Sequence, residues 1–261
     1  VADTDPNTKF TQETVLRARQ WQNPALVSVC VSKPPGFAFL PGQFARIGLP
    51  EVDGLGEPSL WRAYSMVSHP SEDYLEFLSV TVPDGQFSPR LAALKPGQAL
   101  WVEKAPFGFL TLERFSAADT LWLVATGTGL SAYLPMLDDP GTWDQFKTVI
   151  LVHGVRHADD LTYRQNIEAH RSKGRALIYL PVLSQEPWGP NGQETPSRIT
   201  EAYQSGDLER VSGFRLDPEK ARIMLCGNPA MVTDLRAMLT ERGFAAGRRG
   251  NLGTLAVENY W

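Results

Sequence analysis

Four consecutive residues, Arg62-Ala63-Tyr64-Ser65, have types and spacing that suit a phosphorylated, planar ligand. An arginine pairs with a pyrophosphate through charge-assisted hydrogen bonds of roughly 1.5–3 kcal/mol each. Two residues further along an extended strand, Tyr64 returns to the same face and offers a flat ring for stacking. Ser65 adds a small hydroxyl that can donate or accept at a ring edge. The tetrapeptide equally suits an ordinary strand with a surface arginine and a core tyrosine, so alone it leaves both readings open.

Two further motifs carry glycines where backbone meets ligand. Thr126-Gly127-Thr128-Gly129 follows an apolar run and opens a helical one, as a phosphate- or nicotinamide-binding loop does. Ser131 and Ala132 follow, so no GxGxxG fingerprint is completed and a plain strand-to-helix turn competes. In Cys226-Gly227-Asn228-Pro229-Ala230-Met231, Gly227 would admit a close ligand and Pro229 suits the start of a helix. Cys226 reads as a small buried residue that acts by shape and polarity, since no base stands near it in sequence. His153 ends an apolar run and reads as a core imidazole, while Arg156, in His153-Gly-Val-Arg-His157, suits a phosphate contact. Glu258 reads as a solvated tail carboxylate, with a proton relay as the other possibility.

The elements that must position these residues change character part-way along the chain. Leu26–Val31, Phe44–Leu49, Trp61–Ser68, Tyr74–Val82 and Leu100–Lys104 are β-rich runs between Pro- and Gly-containing turns. Strands so closely spaced indicate a small antiparallel barrel. One helix interrupts it, with Ser88 as N-cap, Pro89 at its first position and Pro96-Gly97 as its stop. After about residue 114, apolar strands (Thr120–Ala125, Thr148–Val152, Ala176–Leu183, Arg222–Cys226) alternate with helices (Leu130–Leu137, Asp160–Ser172, Ser197–Ser205, Pro229–Arg242). Gly243 caps the last of these. That alternation indicates a parallel sheet covered on both faces. The class is β + α/β: an antiparallel β-barrel domain over residues 1–114, then a parallel-sheet, Rossmann-like domain over 115–261. Ligands of such sheets bind beyond the carboxyl ends of the strands, where Thr126–Gly129, His153–His157, Ser184–Glu186 and Cys226–Pro229 would lie.

Composition narrows the chemistry. With 43% hydrophobic and 21% charged residues, the 261-residue chain has an ordinary globular balance, and its apolar runs are too short to span a bilayer. The polar amino terminus lacks an apolar signal core, so a cytoplasmic location is expected. A net charge of −4 gives no sign of nucleic-acid binding. Cys30 and Cys226 are the two cysteines, and the four histidines lack ligand spacing, so neither a metal site nor a disulfide framework is expected. Redox chemistry in such a chain needs an organic cofactor.

Arg62-Ala-Tyr-Ser, VTVPDGQFSPRLAALKPG over 80–97, LWLVATGTG, LVHGVRH, CGNPAMV and the terminal Tyr260-Trp261 together resemble the bacterial ferredoxin/flavodoxin–NADP⁺ reductases, in order and spacing from about residue 41 onward. The resemblance implies an FAD-binding barrel, an NADP-binding α/β domain whose tail returns to the flavin, and hydride exchange at flavin N5. Arg62 would hold the FAD pyrophosphate, Tyr64 would stack on one flavin face, and Ser65 would hydrogen-bond near N5. Ala63, Leu78, Ser79, Val80 and Thr81 would line the cofactor, and Gln86, Phe87 and Ser88 would present amides to its phosphates. Thr128, Tyr260 and Trp261 would complete the flavin surround, with Trp261 opposite Tyr64. Contacts to NADP(H) would come from Arg156, Ser184, Gln185, Arg198, Cys226, Gly227, Asn228 and Met231. The catalytic places fall to Tyr64, Ser65, Cys226 and Trp261. Leu78 departs from the aromatic residue usual in the family.

Arg198 matches a phosphate-binding arginine of the family, whereas Gln185 stands where a second arginine is usual, so preference for NADP over NAD is expected but weakened. The expected partner is ferredoxin or flavodoxin, landing on cations such as Lys104, Arg242 and Arg248-Arg249, and the protein is expected to be a monomer. A flavin or oxygenase-component reductase on the same scaffold is the alternative, although oxygenase-linked relatives usually carry a cysteine-rich iron–sulfur module. A non-catalytic flavin or nucleotide sensor is the third reading, against which the retained Tyr64, Ser65 and Cys226 speak.

Overall fold

The computed structural model describes residues 9–50, 56–248 and 251–259. The chain divides into two compact units, Val1–Gly108 and Phe109–Trp261.

The first unit is built on six strands, β1 (Phe10–Gln20), β2 (Leu26–Ser32), β3 (Phe44–Leu49), β4 (Leu60–Ser65), β5 (Tyr74–Val80) and β6 (Ala99–Glu103). They form one antiparallel sheet in the order β4-β3-β6-β1-β2-β5. An antiparallel bridge from Met66 to Phe77 links the two outer strands, so the sheet nearly closes into a barrel. Alternating side chains fill its interior: Val29 and Val31 from β2, Ala45 and Ile47 from β3, Phe77 from β5, Leu100 and Val102 from β6. The strand β1 was not expected. Its sequence, FTQETVLRARQ, buries only Glu13 and Val15, and the rest carries no apolar alternation to read. The expected strands over 61–68 and 74–82 end earlier, at Ser65 and Val80.

The single helix among the described residues of this unit, α1 (Ser88–Ala92), begins differently from expectation. Phe87 occupies the N-cap, and Ser88 is the first helical residue. Its Oγ accepts a hydrogen bond from Val82 N at 2.9 Å, tying the helix to the loop before it. The hydroxyl therefore serves the 82–88 turn, and Leu91, fully buried, anchors α1 in the barrel core.

In the second unit, β7 (Ala118–Thr126), β8 (Phe146–Val155), β9 (Leu177–Leu183), β10 (Ala221–Gly227) and β11 (Leu255–Asn259) form a parallel sheet. Their order is β11-β10-β7-β8-β9. The chain therefore runs outward from β7 to β9 on one side, then returns to lay β10 and β11 on the other. The reversal between β7 and β10 is the topological switch point, where crossovers diverge and leave a crevice at the carboxyl ends of the strands. Helices α2 (Leu134–Asp138), α3 (Pro140–Gln145), α4 (Arg164–Ser172), α5 (Ile199–Gln204), α6 (Asp207–Ser212) and α7 (Pro229–Glu241) connect the strands. The expected helix over 130–137 splits into a 3₁₀ turn, Gly127–Ala132, and α2. Pro135 explains the break: lacking an N–H, it is tolerated only in the first turn of a helix. Likewise α4 starts at Arg164, because Tyr163 adopts a left-handed φ of 55° and interrupts the expected 160–172 helix.

Candidate active site

In the barrel unit, the Arg62–Ser65 strand pairs with β3, Ala45 opposite Tyr64 and Phe44 opposite Ser65. Arg62 is exposed, and its Nη1 donates to the Trp61 carbonyl at 2.7 Å, which leaves other guanidinium hydrogens facing outward. Tyr64 and Ser79 share a hydrogen bond of 3.0 Å between hydroxyls. The Tyr64 ring lies 6.5 Å from Phe77 in an edge-on arrangement and 6.0 Å from Phe87. Burial raises the Tyr64 phenol pKa, more than the Ser79 bond and Arg62 charge lower it. Two Tyr64 contacts thus come from β5 and one from the turn into α1, which fixes the ring before any ligand arrives. Ser65 is 1% exposed and its Oγ has no hydrogen-bond partner. A buried hydroxyl without a partner costs free energy unless something supplies one. Leu78 and Ser79 are buried, while Ala63, Val80 and Gln86 are exposed and Thr81 is half-buried.

In the α/β unit, the switch point gathers the glycine loop and the cysteine motif. Thr126 Oγ1 accepts from Asn228 N at 2.8 Å, joining the end of β7 to the end of β10. Gly227 has φ +127°, and a Cβ there would stand 2.3 Å from Thr126 Oγ1 and 2.7 Å from Thr126 O. The missing side chain at Gly227 thus lets the end of β10 close directly on Thr126. Asn228 spends its Oδ1 on α7, accepting from Ala230 N at 2.9 Å and Met231 N at 3.3 Å as an N-cap. Met231 packs into the core of this unit. The motif therefore shapes the crevice mainly through its backbone.

Cys226 is fully buried, and burial together with the neighbouring Glu258 charge pushes its thiol well up. It stays a neutral, inert thiol at neutral pH, which suits a role in shape. Glu258, its register partner on β11, has an Oε1 that is buried without a hydrogen bond, and burial lifts its carboxyl to about 7.

The remaining candidates meet along the same rim. Gln185 N donates to the Arg156 carbonyl at 3.0 Å and Ser184 N to Val155 O at 3.0 Å, extending the β8–β9 pairing beyond the strands. Ser197 N returns to Leu183 O at 3.0 Å, which brings exposed Arg198 beside Ser184. Arg156, Gln185 and Arg198 thus present their side chains from one edge of the sheet. His157 Nδ1 and Glu186 Oε1 add a hydrogen-bond contact of 2.8 Å there.

A family model described as an oxidoreductase NAD-binding domain matches residues 123–237. Over 251 residues the chain is 39% identical to the flavodoxin/ferredoxin–NADP reductase of Escherichia coli (strain K12), covering 95% of this chain and 97% of that protein. The chain belongs to the ferredoxin/flavodoxin–NADP reductase family. To ferredoxin–NADP reductase A of Sorangium cellulosum (strain So ce56) it is 36% identical over 259 residues, covering 95% and 89% of the two chains. A ferredoxin NADP⁺ reductase from Neisseria gonorrhoeae, solved with bound FAD and NADP, matches with a TM-score of 0.89 at 31% identity, covering 98% of this chain and 100% of that one.

Within this family member, several expectations need revision. Glu258 is no solvated tail residue: it belongs to β11, beside Cys226, and its carboxyl is partly buried. Its signal in sequence is slight, a carboxylate closing the short apolar run Leu255-Ala-Val257. Arg242 is not an open landing site, because its guanidinium bonds Glu209 at 3.0 and 3.1 Å and the Leu216 carbonyl at 2.8 Å. Arg249, Tyr260 and Trp261 lie outside the described residues. No group of three potential metal ligands occurs among the described residues, and no helix is long and apolar enough to cross a membrane.

Proposed function

We propose that this chain is an FAD-dependent ferredoxin/flavodoxin–NADP oxidoreductase, acting as a cytoplasmic monomer, with the barrel unit holding FAD and the α/β unit holding NADP(H). The observation that carries this reading is likeness over 95% of this chain and 97% of the Escherichia coli protein, so both units have counterparts there. FAD, when bound, supplies the conversion between two-electron and one-electron exchange, which no side chain here can perform.

The residues fit that group. Exposed Arg62 is placed to pair with the pyrophosphate, and the amides of Gln86, Phe87 and Ser88 face the same task at the start of α1. The rigidly held Tyr64 ring offers a stacking platform, and the unpartnered Ser65 hydroxyl is the donor or acceptor for the ring edge. At the switch point, Thr128 and the neutral Cys226 shape the place where a nicotinamide would lie. Glu258, whose carboxyl is lifted by burial to about 7, would take up or release a proton near neutrality beside Cys226. Arg156 and Arg198 supply positive charge for an adenosine 2′-phosphate, and Gln185 contributes hydrogen bonds without charge.

The test is direct. Purified protein should carry a flavin absorbance and reduce ferricyanide with NADPH, less efficiently with NADH. Absence of flavin binding, or equal efficiency with the two nucleotides, would count against the reading and the phosphate site respectively.

A further inference from the structure

Behind the glycine loop lies a buried histidine that neither cofactor would touch. His153, on β8 between β7 and β9, is 0% exposed. Its Nε2 stands 3.0 Å from the Gly127 carbonyl oxygen, and its Nδ1 stands 3.4 Å from the Tyr179 hydroxyl. A carbonyl only accepts, so Nε2 carries the proton. The neutral ring then has Nδ1 as acceptor, and the Tyr179 hydroxyl donates to it. Burial drives the imidazole pKa down to about 4, so this single tautomer persists across physiological pH. The chain of donors runs from Tyr179 through His153 to Gly127.

Gly127 has φ +52°, and it begins the 3₁₀ turn that ends at Ala132. In a planar trans peptide the carbonyl and the following N–H point in opposite directions. With the Gly127 carbonyl drawn inward, the Thr128 N–H is turned outward. Thr128 lies in the first turn, where amides have no carbonyl to bond within the helix. We propose that His153 is a positioning residue: by holding the Gly127 carbonyl, it presents the Thr128 amide to the polar edge of a ligand seated at the β7/β10 switch point. This rests on the reading of that crevice as the nicotinamide site.

Two substitutions separate positioning from simple filling of space. The amide nitrogen of His153→Gln reaches the place of Nε2, whereas that of His153→Asn stops nearer Nδ1. With NADPH and ferricyanide, His153→Asn should raise KM about tenfold, the loss of one hydrogen bond to a neutral group, with kcat changed less than about twofold. His153→Gln should recover KM to within about threefold of the parent. Hydrogen exchange over 126–132 should accelerate in the Asn variant and not in the Gln variant. Equal KM in the two variants, or exchange unaltered in both, would overturn the proposal. If the parent itself fails to oxidise NADPH, the functional reading falls, and the exchange comparison still decides whether His153 fixes the loop. Tyr179→Phe, which removes one oxygen and spares the core, should shift exchange in the same direction as His153→Asn. An unchanged rate would break the relay.

Discussion

Ser65 concentrates the residue-scale argument, because a fully buried hydroxyl without a partner is a cost the fold keeps. Replacing it with Ala removes that cost without adding bulk. Ser65→Ala should leave the melting temperature of the flavin-depleted protein unchanged or raised, and FAD content intact, since on the proposed reading Arg62 and the α1 amides would hold the phosphates. Single-turnover reduction by NADPH should nevertheless slow about tenfold or more, because the group at the ring edge is gone. An unchanged rate would remove Ser65 from the site. On the proposed reading, nucleotide preference would depend on Arg198 and Gln185. Arg198→Ala should weaken NADPH far more than NADH, and Gln185→Arg should sharpen the preference for NADPH; equal effects on both nucleotides would mean another residue holds the 2′-phosphate. Two buried acids give opposite pH trends. His153 falls from 6.5 unfolded to about 4 folded, so its neutral burial costs nothing above pH 6.5. As pH falls from 6.5 towards 4 the unfolded state takes up a proton first, and on the order of 3 kcal/mol of stability is lost. Glu258 rises from 4.5 to about 7, so its contribution weakens as pH climbs between those values. His153→Gln should therefore melt with a smaller difference between pH 7 and pH 5 than the parent. Arg62–Ser65 and Cys226 were legible because each sits in a motif with its neighbours. Glu258 was not, since its environment comes from β10, a strand distant in sequence.

At the scale of elements, the loop from Ser184 to Arg198 carries the residues proposed to set nucleotide selectivity. Trp188 is 2% exposed, exchanges backbone hydrogen bonds with Glu194, and its indole donates to Ser197 Oγ at 3.0 Å. Glu194 is in turn held by Arg210 of α6. The loop is thus pinned at its middle, and both Gln185 and Arg198 flank the pin. Trp188→Ala should cost about 3–5 kcal/mol of stability and raise KM for NADPH more than for NADH. A stability loss without any nucleotide effect would confine Trp188 to packing. Most strands were readable because β7 to β10 are continuous apolar runs buried on both faces. The strands β1 and β11 escaped notice for a common reason: each is short of buried side chains and is defined by backbone pairing to neighbours remote in sequence. Pattern reading also merged the Gly127–Ala132 turn with α2, because Pro135 permits a helix to start there as readily as it forbids one to pass.

The whole molecule joins an antiparallel barrel unit to a parallel α/β unit, and the proposed contacts to FAD and to NADP(H) draw on both. An acidic carrier would be drawn by exposed cations outside the proposed cofactor contacts, Arg248 among them, rather than by Arg242, which Glu209 already pairs. Turnover with ferredoxin or flavodoxin should fall as salt rises, measured at saturating NADPH; a salt-independent rate would contradict electrostatic docking. The division into two architectures was visible in the change from turn-separated strands to alternating strands and helices. The rim at the carboxyl ends of the parallel strands was visible too, but the reversal between β7 and β10 was not, because it depends on the strand order. The central claim is tested most directly by anaerobic titration of the FAD-loaded protein. NADPH should bleach the flavin absorbance, NADH should do so less readily, and oxidised ferredoxin or flavodoxin should restore it. A protein that binds no FAD, or whose flavin stays oxidised in excess NADPH, would contradict the account.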